Sequence, residues 1–154
     1  MQGHCPSVVQ VADAEKRKEL RAKIRALCHW EKKGFPGGQP VSMDRENGKE
    51  VFSRPYKVSW KADGVRYMML IEGEGQVTVF DRDNTPYTVP NLSFPHRTES
   101  RHLRETLLDG EMVLDTDQKS GQKTPRFLVY DIVLIDGQSI GSQLFDKRLL
   151  CIRR

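Results

Sequence analysis

The sequence has no long apolar run. Its longest, over residues 67–71, is far too short to cross a bilayer, and the N-terminus lacks the basic stretch and apolar core of a secretory signal. Cysteine is scarce. Cys5, Cys28 and Cys151 are scattered and odd in number, which speaks against a disulfide framework and fits a reducing compartment. Zinc-site spacing is missing as well. The doublets His4-Cys5 and Cys28-His29 lack the usual two-residue spacer, and neighbours within a doublet rarely converge on one tetrahedral ion, so no metal ligands are expected. Internal repeats and low-complexity tracts are also absent. These absences point to a soluble, intracellular protein of ordinary globular type.

What is present fits that type. A chain of 154 residues is long enough for one domain with a core, and 37% hydrophobic with 30% charged residues separates it from disordered sequences. The net charge of +4 favours an anionic partner such as a nucleotide or RNA, but weakly, because most Lys and Arg simply solvate the surface.

Residues 1–12, with Pro6 and no clear period, read as a disordered leader ahead of a domain over 13–154. Asp13 is placed to cap a helix running to about Trp30, with Leu20, Ile24 and Leu27 as its apolar stripe and Glu19 with Lys23 as a favourable pair. The Gly- and Pro-rich stretch 34–40 ends that helix. From Tyr56 the period becomes two. Tyr56, Val58 and Trp60 alternate with Lys57, Ser59 and Lys61, which predicts a strand, and Asp63-Gly64 predicts a tight turn into an apolar strand over 66–71. A further strand is expected over 76–81, then a short helix near 100–106. Strands over 107–115 and 127–135 follow, separated by a polar hairpin loop, with a last amphipathic segment from about Gln143. The class is α+β, mainly antiparallel sheet with an N-terminal helix.

KADGVR, over 61–66, is the most informative stretch. By itself it is a hairpin turn with solvated Lys and Arg flanks. LLDGEMV over 107–113 and FLVYDIV over 127–133 change its meaning, because in this order and spacing the three resemble the motifs of the covalent nucleotidyltransferases. That superfamily holds the ATP- and NAD-dependent ligases and the GTP-dependent capping enzymes. GFPGGQPVSMD (34–44), PYKVSWKADGVRYMMLIEG (55–73), FDRDN (80–84) and NLSFPHR (91–97) are similar to metazoan-type mRNA capping enzymes, and the resemblance covers about residues 30–154.

The resemblance implies the first part of a DNA ligase/mRNA capping enzyme nucleotidyltransferase fold. It also implies a nuclear mRNA guanylyltransferase, in which a lysine amine attacks the α-phosphate of GTP and the GMP then passes to the 5′-diphosphate end of nascent mRNA. Carried over residue by residue, Lys61 is the nucleophile, and Arg66 and Arg82 hold the ribose and phosphates. Asp109 and Gly110 shape the approach to Glu111 near the ribose, and Tyr130 stacks on guanine. A free lysine has a pKa of about 10.4, so a nucleophilic amine needs desolvation and nearby cations. Lys57, Arg66 and Arg82 are the candidate cations, with Trp60 supplying packing. Read without the resemblance, Tyr130 is a core residue and Arg82, inside Asp81-Arg82-Asp83, forms a local ion pair.

The resemblance further implies that the motifs supplying the Mg2+ or Mn2+ carboxylate and the α-phosphate lysines, with the oligonucleotide-binding lid, lie beyond Arg154. This chain alone is therefore expected to be inactive or nearly so. Two alternatives accompany the guanylyltransferase reading. One is an ATP-dependent polynucleotide ligase fragment. The other is a non-catalytic module binding the phosphorylated tail of RNA polymerase II, with Arg97 and Arg154 as candidate docking residues.

Overall fold

The computed structural model describes residues 8–153. In chain order its elements are β1 (Val9–Gln10), α1 (Ala14–Leu27), α2 (Glu50–Ser53), β2 (Val65–Gly73), β3 (Gln76–Phe80) and β4 (Pro86–Thr88), followed by β5 (Thr106–Thr116), β6 (Lys123–Ile135), β7 (Gln138–Ser139) and α3 (Phe145–Ile152). The strands form one sheet in the order β1-β4-β3-β2-β5-β6-β7, antiparallel at every pairing.

Alternation along β2 explains why both faces of this sheet are covered. Met68 and Leu70 point to one face, where Leu20 and Ile24 of α1 meet them together with Phe35, Phe80, Leu107 and Leu134. Tyr67, Met69 and Ile71 point to the other, where Val77, Val79 and Met112 are joined by Tyr87 of β4 and by Val89, Leu92 and Phe94 of the irregular stretch after it. The expected doubly buried strand is thus present, and it lies at the centre of the sheet.

Helix α1 starts where the sequence places it. The Asp13 side chain accepts the Lys16 backbone N–H at 2.6 Å. The helix ends earlier than expected, with Cys28 as its C-cap and His29 in a left-handed conformation at φ 50°. Its charges also pair differently. Glu19 binds Lys16 at 3.0 Å, while Lys23 reaches across to Glu72 of β2 at 2.6 Å.

Three expectations are corrected. Residues 8–12 are not a loose leader: Val8 is buried and β1 pairs with β4; residues 1–7 lie outside the described residues. The stretch 56–61 is not a strand. The pairing of β2 with β5 begins at Val65↔Met112, where Gly64 lies tight against the Met112 carbonyl; the chain upstream pairs with no strand among the described residues, and Tyr56, Val58 and Trp60 stay 55%, 100% and 73% exposed. The stretch near 100–106 is not a helix. Leu103 donates to the Phe94 carbonyl at 2.7 Å and His96 to the Arg101 carbonyl at 2.8 Å, so tertiary pairing overrides helix propensity. Arg101 also grips Asp136 with two donors, which fixes this loop beside the end of β6.

Two substitutions test these assignments by urea unfolding followed by circular dichroism. Asp13→Ala is expected to cost about 1 kcal/mol through loss of the cap. Ile24→Ala, at a fully buried position, is expected to cost about 2–5 kcal/mol.

Candidate functional site

A groove of about 440 Å³ opens where the segment preceding β2 passes the β5–β6 pair; Lys61, Arg82, Glu111 and Tyr130 all line it, with Trp60 and Leu128. Each wall has a local cause. Gly64 lets the lysine-bearing segment come close: a Cβ there would stand 2.3 Å from the Met112 carbonyl oxygen and 3.0 Å from the Glu111 side chain. Lys61, three residues earlier, is exposed at the groove.

Arg82 is presented by a turn built around Asp81. One Asp81 oxygen accepts the backbone N–H groups of Asp83 and Thr85 at 2.9 and 2.8 Å, and the other accepts the Tyr87 hydroxyl at 3.0 Å. Among the described residues Arg82 makes no ion pair, so the local pairing read from Asp81-Arg82-Asp83 does not form.

Tyr130 reaches the groove through a β-bulge. Gly110 pairs with Val129, but Asp109 pairs with Asp131, leaving Tyr130 as an extra residue in β6. A bulge of this kind re-aims side chains. Here it puts Tyr130 and Asp131 on the face of Asp109, and the Tyr130 ring, 38% exposed, forms part of the groove wall. Gly110 is required by packing, since a Cβ there would lie 2.7 Å from both the Leu128 carbonyl oxygen and the Phe127 ring.

Behind this wall lies a buried ionic cluster. The Arg66 guanidinium donates from Nε to Asp109 Oδ1 at 2.9 Å, from Nη2 to Asp109 Oδ2 at 2.6 Å, and from Nη1 to the Gly38 carbonyl at 2.7 Å. Arg66 and Asp109 are 9% and 4% exposed. The Tyr130 hydroxyl donates to Asp109 Oδ1 at 3.0 Å, and Arg66 lies 4.9 Å from the Phe35 ring centre. The hydrogen bonds to Asp109 raise the Arg66 pKa above its ordinary value. Burial, then the charge of Asp109, raise that of Tyr130, which stays a neutral donor at physiological pH. The same surroundings push the Cys28 thiol up to about 11, by burial first and Asp109 second.

The sequence-derived set thus divides. Lys61, Arg82, Glu111 and Tyr130 share the groove; Arg66 and Asp109 are committed to each other behind it; Gly110 supplies close strand contact. Arg97 lies elsewhere, bordering an apolar groove of about 730 Å³ with Phe94, Leu108, Ile132 and Ile152. Arg154 lies outside the described residues. The sequence reading missed Phe35 and Gly37, which close the 34–39 loop over Arg66. It also missed that the fork of Arg148 holds Asp131. The clue for Asp131 was legible, since a carboxylate inside an apolar strand needs a partner; its identity was not. Among the described residues Glu111 is the single carboxylate on the groove wall, and no group of three or more His, Cys, Asp or Glu is arranged to hold a metal. These residues by themselves do not fit a divalent-cation site.

An amine, an arginine, a carboxylate and an aromatic ring line one open groove; the chemistry of the two cations suits phosphate, that of the carboxylate hydroxyls and that of the ring a flat base. The family model described as mRNA capping enzyme, catalytic domain, matches residues 1–154. The chain belongs to that family. It is 49% identical over 148 residues to the mRNA-capping enzyme of Danio rerio, covering 96% of this chain and 24% of that protein. With the Mus musculus mRNA-capping enzyme the identity is 51% over 148 residues, covering 96% and 24%. The Caenorhabditis elegans enzyme is 39% identical, covering 99% and 25%. The chain therefore spans about a quarter of the length of these curated relatives. A mycobacterial DNA ligase D complexed with ATP and MES overlaps 59% of this chain and 33% of its own at TM-score 0.41 and 17% identity, a partial likeness.

Asp109→Ala would leave Arg66 buried without its counter-charge and is expected to cost about 3–5 kcal/mol in urea unfolding. Adding Arg66→Met should recover much of that loss, because the uncompensated charge is gone.

Proposed function

We propose that the protein is an mRNA guanylyltransferase acting through a covalent lysyl-N-GMP intermediate on Lys61. One observation carries the reading: in a chain of the capping-enzyme family, the lysine of KADGVR shares a groove with Arg82, Glu111 and Tyr130. In the first step the neutral Lys61 amine attacks the α-phosphorus of GTP. A P–N bond forms, the bond to the bridging oxygen breaks, pyrophosphate leaves with the electron pair, and the amine loses its proton. In the second step the 5′-diphosphate end of nascent mRNA attacks that phosphorus and releases the amine.

Arg82 steers the phosphates, Glu111 accepts from a ribose hydroxyl, and Tyr130 stacks on guanine. Stacking supplies about 1–3 kcal/mol and little base choice. Arg66 acts from behind, by fixing Asp109 and through it Tyr130. GTP and 5′-diphosphate RNA are the substrates, Mg2+ or Mn2+ the accompanying cation, and the nucleus the place of action. The measurement has two arms. In this chain, GTP should quench Trp60 fluorescence, since Trp60 borders the groove. In a chimera where this sequence replaces the matched segment of the mouse relative, GTP labelled at the α-phosphate should leave acid-labile label on the protein. Lys61→Ala should abolish it. Persistent label in that variant would sink the assignment, and equal labelling by ATP would favour a ligase.

A second partner is the phosphorylated tail of RNA polymerase II, which we place at Arg97. What favours this position is the apolar groove beside Arg97, able to take the apolar residues of a peptide whose phosphate meets the guanidinium. Titration with phosphorylated and unphosphorylated tail peptides decides it. Tighter binding of the phosphorylated form, lost in Arg97→Ala, is expected; equal affinities remove the idea.

A further inference from the structure

Strands β5 and β6 set two carboxylates directly opposite each other, Asp109 and Asp131, on the face that carries the groove. Like charges so paired repel. Each is neutralised by its own arginine. Asp109 has Arg66; Asp131 has Arg148 of α3, whose Nε and Nη2 donate to its two oxygens at 2.7 and 3.0 Å. Arg148 is itself anchored, with Nη1 donating to the Gln143 carbonyl at 2.6 Å and its guanidinium 5.3 Å from the Phe145 ring centre. Tyr130 sits in the bulge between these two pairs, and its hydroxyl shares Asp109 Oδ1 with Arg66 Nε.

We infer that Arg148 is a positioning residue for the Tyr130 ring, acting through Asp131. By occupying both oxygens of Asp131 it leaves that carboxylate with no claim on Arg66. Asp109 then keeps its own arginine and the tyrosine hydroxyl, and the bulge keeps one shape. Arg148 reaches the groove through this chain of charges and touches no ligand itself. The functional part of the inference rests on Tyr130 being the surface that stacks on the base.

The test uses this protein with GTP as probe, read by Trp60 quenching, together with the ring resonances of Tyr130 in the nucleotide-free state. Arg148→Gln is expected to weaken GTP binding about tenfold, within the range for losing a stacked base, and to shift the Tyr130 resonances. Arg148→Lys, a point charge without the planar fork, should fall between wild type and Arg148→Gln. Adding Asp131→Asn to Arg148→Gln should restore both readouts, because the neutral amide makes no claim on Arg66. A double variant as defective as the single one overturns the inference, as does a single variant with unmoved resonances. Wild-type affinity in Tyr130→Ala would instead remove the base-stacking reading, and the resonances would still decide the role of Arg148.

Discussion

Taking Arg66 and Asp109 out of water costs several kcal/mol for each charge, and the arrangement around them offsets that cost. Two parallel bonds join fork to carboxylate, a third donor goes to the Gly38 carbonyl, and the second lone pair on Asp109 Oδ1 takes the Tyr130 hydroxyl. The loop 34–39 closes over the pair with Phe35 against the guanidinium. Gly37 is needed there because a Cβ would stand 2.7 Å from Arg66 Nη2 and 2.4 Å from the Phe35 ring. One ion pair thereby draws the loop after α1 and strands β2, β5 and β6 to a common point.

The groove inherits its stiff wall from that point. Glu111 and Tyr130 stand on strands paired over most of their length and braced from behind by Asp109. Arg82 is added by a turn whose shape Asp81 fixes through three hydrogen bonds. The Tyr130 ring and the turn that carries Arg82 are thus held in place within the protein itself, and for the proposed ligand that would lower the ordering cost of binding.

Much of the sheet was legible because its signals are local. The apolar run 67–71 and the Asp13 cap of α1 each follow from a handful of neighbours. The misreadings share a different cause. Tyr56, Val58 and Trp60 alternate as a strand should, but alternation records which faces differ and says nothing of whether a partner strand is free. The loop near Arg101 is shaped by Phe94 and by Asp136, the latter 35 residues from Arg101. The site was legible in composition and not in geometry. Lys61, Arg82, Glu111 and Tyr130 were identified from motif resemblance, and all four border one groove. That Arg66 lies behind the groove is not readable locally, because its partner Asp109 is 43 residues away. No period-two count reveals the extra residue at Tyr130, since a bulge is a property of two strands together.

The two walls of the groove differ in how firmly they are held. Lys61 belongs to a stretch whose neighbours Val58 and Trp60 are largely exposed, and whose ion pair from Lys57 to Asp146, at 2.9 Å, is itself open to solvent. An exposed pair of that kind contributes at most about 1 kcal/mol. The segment is therefore anchored mainly at Gly64, where it runs into β2, and few buried contacts resist its displacement. For the proposed reaction this asymmetry is consistent with the chemistry. The base and phosphates need fixed surfaces, whereas the amine must come within about 3 Å of phosphorus for attack and then withdraw as the transferred group leaves. A rigid recognition wall facing a loosely tethered nucleophile satisfies both demands with one groove, and it locates the adjustable part of the site in the residues just before Gly64.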